Sequence, residues 1–280
     1  MPAAWPSVGE LMTRDPVTLP HDAPIAKALG LMRTRGFHEI PVLRNARLAG
    51  MITFESIARR VRGSLTTKVE SLLILPPLVT PTTTLAEIAG QLLATGLRAA
   101  PVVGRRGELV GIVSRTDLVR SLRSAPVAAR ATVESIASPA SVLIREDDQV
   151  RHLLAQLRLL EEHPLPVVDR KGRLVGAVGV ADLGAVLWRP TAGGKADAKT
   201  GRSALEVEVA SIMRSPAITV PAGTSAAEAA ALMSREKVSS VFVVEGGRPT
   251  RVVGQSDLLG LLVGATRRRS RRRCGAAPRP

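Results

Sequence analysis

Residues 101–122 read PVVGRRGELVGIVSRTDLVRSL. Two apolar runs, PVV from Pro101 and LVGIV from Leu109, flank the Gly-rich turn GRRG from Gly104, which is the pattern of a β-hairpin. A helix then begins at Ser114 or Asp117 and runs through Leu118, Val119 and Leu122. Upstream of the hairpin, Leu85, Ile88, Ala89 and Leu92 recur at i, i+3, i+4, i+7 and mark a helix with one buried face. Before that helix lies a short β-prone run, LVT from Leu78. The order of elements is β-α-β-β-α.

The same order occurs four times. The copies open with VGELM from Val8, VESLL from Val69, VESIA from Val133 and VASIM from Val209, at offsets of 61, 64 and 76 residues. Short strand-like runs follow at Pro16, Leu78, Ser141 and Ala217. Helical apolar sets come next: Ile25, Ala28, Leu29, Met32 in the first copy; Val150, Leu153, Leu154, Leu157 in the third; Ala226, Ala229, Ala230, Met233 in the fourth. Thr84 with Glu87, and Ser225 with Glu228, fit capping boxes, and Pro24 suits a first helical position. The blocks equivalent to GIVSRTD (Gly111 to Asp117) are GMITFES from Gly50, GAVGVAD from Gly176 and RVVGQSD from Arg251. The fourth residue of each block falls 45 or 46 residues after the opening Val. A unit of about 55 residues is small for an independent core, so the copies are expected to pack in pairs. The first pair, within residues 1–128, joins about 8–62 to 69–123. The second, within 129–264, joins about 133–188 to 209–264, with a polar flexible loop at 189–204. The expected fold is α/β of the α+β type, four β-α-β-β-α repeats in two pseudo-twofold modules.

The GIVSRTD block and its equivalents resemble a recurring segment of the CBS domain family, a regulatory module named for cystathionine β-synthase whose paired repeats are called Bateman modules. The resemblance covers residues 8 to 264 as four copies. It implies a non-enzymatic sensor that binds an adenosine-containing ligand (AMP, ADP, ATP or S-adenosylmethionine) in clefts between paired repeats. The signal would pass to a separate effector or to self-association as a homodimer. In the family the Asp of the Ser/Thr-x-x-Asp element accepts from the ribose hydroxyls. The Ser/Thr hydroxyl and nearby N–H groups face phosphate, and backbone around the hydrophobic-Pro-Val run meets the base. Carried over, the resemblance assigns Ser114, Thr116 and Asp117 to one site, with Ala100 and Pro101 at the base edge. The first copy keeps Thr53 but has Ser56 in the Asp position; the third and fourth keep Asp182 and Asp257 while Gly179 and Gly254 replace the hydroxyl residue. Ribose contact is expected to survive there while phosphate contact weakens.

Elementary chemistry fits these roles, because a carboxylate can accept from both hydroxyls of a cis-diol and a helix N-terminus attracts phosphate. Ser114-x-x-Asp117 reads equally as a capping arrangement with an acidic first turn. His38 and His163, just before hairpins, read as partly exposed polar residues.

Composition bounds the remaining options. Lys and Arg exceed Asp and Glu by 15, and Arg267, Arg268, Arg269, Arg271, Arg272, Arg273 and Arg279 supply seven of these charges within the last 14 residues. Residues 265–280 read as a basic disordered tail. The alternative function is a nucleic-acid-associated regulator in which Arg267–Arg269 and Arg271–Arg273 carry the affinity, with the salt dependence of phosphate binding. There is no Tyr, and Phe and Trp total five, which argues against base-stacking platforms. Cys274 is the single cysteine, so neither an internal disulfide nor a Cys-based zinc site is possible, and the four histidines form no metal-ligand pair. The GGK at Gly193 lacks the Ser/Thr and upstream Gly of a phosphate-binding loop. No Ser/His/Asp set emerges, and no cofactor is expected beyond the regulatory ligand. The longest uncharged stretch, Ser71 to Ala86, is broken by Pro76, Pro77 and Pro81, and Met1 to Glu10 lacks the pattern of a secretory signal. A cytoplasmic protein without a membrane span is the expectation.

Overall fold

Four hairpins anchor the fold: β3 (Glu39–Arg44) with β4 (Arg47–Thr53), β5 (Ala99–Val103) with β6 (Leu109–Ser114), β9 (Leu165–Val168) with β10 (Leu174–Val178), and β11 (Ser240–Glu245) with β12 (Arg248–Gly254). The computed structural model describes residues 5–60, 65–156, 163–187 and 204–274. Short strands complete each sheet. In the first repeat β2 (Leu19–Pro20) runs parallel to β3, and in the third β8 (Ile144–Arg145) runs parallel to β9. The other two additions cross between repeats. β1 (Thr13–Arg14), from the first repeat, pairs antiparallel with β6 of the second, and β7 (Ser138–Pro139), from the third, pairs with β12 of the fourth. The exchange is returned by Ile74 on Met51 and by Arg214 on Ala177. Sheets therefore tie the first repeat to the second and the third to the fourth.

The exchange brings backbone very close to the hairpins. A Cβ on Gly111 would lie 2.7 Å from Met12 Sδ and 2.9 Å from the Thr13 carbonyl oxygen; one on Gly176 would lie 2.6 Å from Met213 Sδ. Glycine is required at both because nothing larger fits beneath a crossing strand. At the fourth hairpin the equivalent residue is Arg251, and the residue in the Met12 position is the small Ala137. Bulk is conserved across the crossing while its owner changes.

Each repeat also has a long helix and a closing helix, and their apolar faces meet across the pairs. One buried cluster joins Leu85, Ile88, Leu92, Leu118 and Leu122 of the second repeat to Ala229, Met233, Leu258 and Leu262 of the fourth. The other joins Ile25, Ala28, Met32 and Ile57 of the first to Val150, Leu153 and Leu183 of the third. Burying each such Leu or Ile is worth about 1.5–3 kcal/mol, so units too small to stand alone are tied by strand pairing to one neighbour and by a shared helical core to another. The result is a ring in the order first, second, fourth, third. A sequence pattern shows that a helix has an apolar face but not which neighbour covers it, and the contacts between pairs are the part that pattern does not supply.

Local expectations fare well where a side chain decides them. Capping boxes form at Thr84–Glu87, opening helix Leu85–Thr95, and at Ser225–Glu228, opening helix Ala226–Glu236. The main-chain hydrogen bond to Thr84, then the bond to its hydroxyl, holds the Glu87 carboxyl below its ordinary range. Pro24 is the residue before helix Ile25–Arg35 rather than its first residue. The disordered-tail expectation is corrected in part: the closing helix of the fourth repeat runs Gln255–Cys274. Arginine is among the better helix formers and no Gly or Pro interrupts residues 265–274, so a helix already nucleated on the core propagates through them. Residues 275–280, and the expected loop at 189–204 apart from Ala204, lie outside the described residues. No helix among the described residues is long and apolar enough to cross a membrane.

Candidate ligand-binding cavity

All four repeats line one cavity of about 1050 Å³. It has two halves built from equivalent positions. In one, Ser114, Thr116 and Asp117 stand at the start of the closing helix Arg115–Leu122 and face Thr13–Val17 and Gly36–Glu39 of the first repeat. In the other, Gly179, Ala181 and Asp182 stand at the start of helix Val180–Leu187 and face Arg214–Ile218 and Lys237–Ser240 of the fourth.

Asp117 does two jobs at once. Its Oδ2 accepts from the Ser114 main-chain N–H at 2.9 Å and from the Ser114 hydroxyl at 2.7 Å, while Ser114 Oγ accepts from the Asp117 N–H at 3.3 Å, completing a capping box. Oδ1 pairs with Arg120 at 2.6 Å. Each carboxylate oxygen has two acceptor sites, so the cap fills Oδ2 and the salt bridge leaves one site, on Oδ1, for a hydroxyl donor. Asp182 is less encumbered: Oδ2 accepts from Gly179 N–H at 2.7 Å, the Ser being absent. Burial pushes its carboxyl above the ordinary range, and the Gly179 hydrogen bond and the Arg214 charge pull it back.

The remaining predicted residues lie elsewhere. Thr53 is buried and closed on Ser56, whose N–H donates to Thr53 Oγ1 at 3.0 Å and whose hydroxyl donates to the Thr53 carbonyl at 2.9 Å. Asp257 is not on this cavity; it accepts from Gly254 N–H at 2.8 Å and from Ser138 Oγ at 3.1 Å. Burial raises the Asp257 carboxyl, opposed by those two bonds and by the charge of His163. Ala100 is fully buried in the shared core and Pro101 is buried, and neither lines the cavity; Ala99 and Ile112 do. Two causes act here. Side chains alternate along a strand, so Ala99 and Ala100 face opposite ways. The strand exchange also places the first repeat's Pro41, not Pro101, beside the Asp117 half.

Several lining residues were not singled out by the sequence as site residues. His38 lines the cavity, and burial, then the charge of Arg98, pushes it down to about 3, which keeps it neutral. Glu39, 8% exposed, receives the Arg98 and Ala99 main-chain N–H groups at 2.7 Å each and so ties the first repeat to the second. Burial dominates those bonds and pushes it up to about 7. Arg98, Arg214 and Lys237 are the basic residues of the lining. Arg214 is held by main-chain bonds to Ala177 and donates from Nη1 to the Lys237 carbonyl at 3.1 Å. Two cross-links join the second and fourth repeats at this level: Arg115 Nη1 to Ser256 Oγ at 2.8 Å, and Gln255 Nε2 to Thr116 Oγ1 at 3.1 Å. Buried Arg115 also donates to the Leu92 and Leu97 carbonyls, satisfying the end of helix Leu85–Thr95.

Four repeats that exchange edge strands and share helical cores, two of them placing a helix-initial carboxylate on a common cavity, define a paired-repeat module, and comparison with known proteins agrees. The CBS domain model matches residues 8–63, 69–124, 133–188 and 209–264, and the chain belongs to that family. The protein MJ1404 of Methanocaldococcus jannaschii is 31% identical over 259 residues, which is 90% of this chain and 61% of that one. This chain thus spans about three-fifths of that relative's length. Among solved structures, protein MJ1225 of the same organism, proposed as an archaeal homologue of g-AMPK, superposes with a TM-score of 0.78 at 19% identity over 91% of this chain and 99% of its own. A conserved protein of Pyrococcus horikoshii superposes with a TM-score of 0.65 at 25% identity, covering 92% of this chain and all of its own.

Proposed function

We propose that this chain is a non-enzymatic regulatory sensor that takes an adenosine-containing ligand, AMP, ADP, ATP or S-adenosylmethionine, in its central cavity. One observation carries the reading: Asp117 and Asp182, each in the first turn of a closing helix, line the same cavity from two different modules. A ribose diol matches such a carboxylate as donor to acceptor, and the cations on the lining match phosphate. Thr53 and Asp257 have no part in this cavity, and the first repeat's share is its junction, Gly36–Glu39, rather than its Thr53. Because every lining segment belongs to a ring held by strands within each module and by helix packing between the modules, ligand contacts on both modules would bias their packing. That shift is the output offered to a separate effector or to self-association.

A thermal-shift screen of the full chain with AMP, ADP, ATP and S-adenosylmethionine tests the reading. Ligand confined to the native state at 100-fold over its Kd adds about 2.7 kcal/mol of stability, so at least one compound should raise Tm by several degrees. No shift with any of the four would remove the proposal. In the Asp117→Ala variant, loss of hydrogen bonds to a charged group, about 1.5–3 kcal/mol, should weaken the site it serves by about one to two orders of magnitude.

A further inference from the structure

The two halves of the cavity can be compared position by position, because each is furnished by one closing-helix start and by the opening and junction of the exchanged repeat. Thr13 of the Asp117 half corresponds to Arg214 of the Asp182 half, and Gly36 corresponds to Lys237. Asp15 corresponds to Pro216, and Glu39 to Ser240. All eight residues line the cavity. Crossing from the Asp117 half to the Asp182 half therefore removes two carboxylates and adds two cations at matched places.

The other charges do not cancel this contrast. Arg98 on the Asp117 side acts on neighbouring Glu39 and His38, and Arg120 is engaged with Asp117. On the Asp182 side the added carboxylate, Glu236, is paired with Arg235 at 2.8 Å. Lys237 sits in the left-handed conformation that ends helix Ala226–Glu236, which turns the chain at the cavity wall. The Arg214 charge bears on Asp182 itself.

We propose that the Asp182 half is the subsite for a nucleoside polyphosphate and the Asp117 half the subsite for an adenosyl group carrying little or no negative charge. This rests on the adenosyl-ligand reading above and adds to it the ligand class of each half. It also reverses the ranking that the Ser/Thr-x-x-Asp element suggests: Ser114 is spent on its own helix cap, while Gly179 is compensated by cations from another repeat. A phosphate in water-exposed surroundings gains about tenfold in affinity per well-placed charged hydrogen bond.

Isothermal titration of the full chain with adenosine and with ATP, in Asp117→Asn and Asp182→Asn variants, separates the halves. Asn keeps the size and an acceptor for the helix start, and circular dichroism checks the fold. With Asp117→Asn the remaining site should prefer ATP over adenosine by about tenfold or more. With Asp182→Asn the remaining site should bind adenosine at least as tightly as ATP. Equal ATP-to-adenosine ratios in the two variants, or a reversed order, would overturn the assignment while leaving the adenosyl reading intact. Failure of the wild-type chain to bind either compound would overturn the assignment of the halves, and failure to bind AMP, ADP and S-adenosylmethionine as well would overturn the adenosyl reading.

Discussion

The Asp117 and Asp182 halves occupy equivalent places in two modules, share the helix-initial carboxylate, and differ in nearly everything that surrounds it. Thr13, Asp15, Gly36 and Glu39 stand on one side; Arg214, Pro216, Lys237 and Ser240 stand on the other. None of these eight residues belongs to the repeat that supplies the carboxylate. The lesson is that strand exchange separates a site's signature from its selectivity: a repeat carries its own Asp, and its partner repeat decides what that Asp meets.

The comparison can be broken most forcefully at Glu39. Its carboxyl has an ordinary value of 4.5 and is raised to about 7 in the folded chain. The associated stability is fully present below about pH 4.5, where both states hold the proton. It is lost as pH rises to about 7, because the unfolded chain releases its proton first. The loss is about 3 kcal/mol, and Glu39→Gln should flatten this part of a urea-unfolding profile measured from pH 4.5 to 8. An unchanged profile would mean that Glu39 is not the buried acid distinguishing the Asp117 half. His38 has the opposite sign: its contribution is present above about pH 6.5 and lost as pH falls toward 3.

The second intervention exchanges the halves' chemistry. Arg214→Thr with Lys237→Gly gives the Asp182 half the residues of its counterpart. ATP affinity there, read by titration in an Asp117→Asn background, should fall by about a hundredfold, two charged contacts at about tenfold each. Adenosine affinity should move by less than threefold. A fall common to both ligands would point to a damaged pocket rather than lost phosphate contacts.

How far the sequence could be read follows the same division. Repeat order, helix faces and the capping boxes at Thr84 and Ser225 were legible because each depends on residues within a few positions of one another. Asp117 and Asp182 were legible as candidate ligand residues from the spacing of the block that holds them. Ala100 and Pro101, taken as the base edge from the copy that owns the Asp, do not line the cavity, whereas the first repeat's Gly36–Glu39 and Pro41 do. Arg214 and Lys237 carried no local signal, being one residue after a repeat-opening signature and one residue at a helix end. His38, read as partly exposed, is so, and it stands as a neutral group on the cavity wall. The signal that could have found them was the pairing itself: aligning the four copies and then reading each Asp against the opening and junction of its exchange partner.

Smaller effects sharpen the structural side. Gly111→Ala should destabilise the chain by about 1–3 kcal/mol, since overpacking forces shifts of that cost, and Met12→Ala should restore part of it by copying the Ala137–Arg251 arrangement. Chemical denaturation of the two single variants and the double variant measures the coupling; strict additivity would contradict the contact. Smallest of all, removal of residues 265–280 should leave adenosyl affinity unchanged within about twofold, as the described lining residues fall between Thr13 and Gln255. A collapse of that affinity would tie the basic terminus to the ligand instead.

The crossings at Gly111, Gly176 and Arg251 sort these hairpins into two kinds. The hairpin bearing Arg251 is crossed at the small Ala137, whereas those bearing Gly111 and Gly176 are crossed at Met12 and Met213. Size at a single main-chain crossing thus acts as an address label that keeps the fourth hairpin from seating where the second or third belongs.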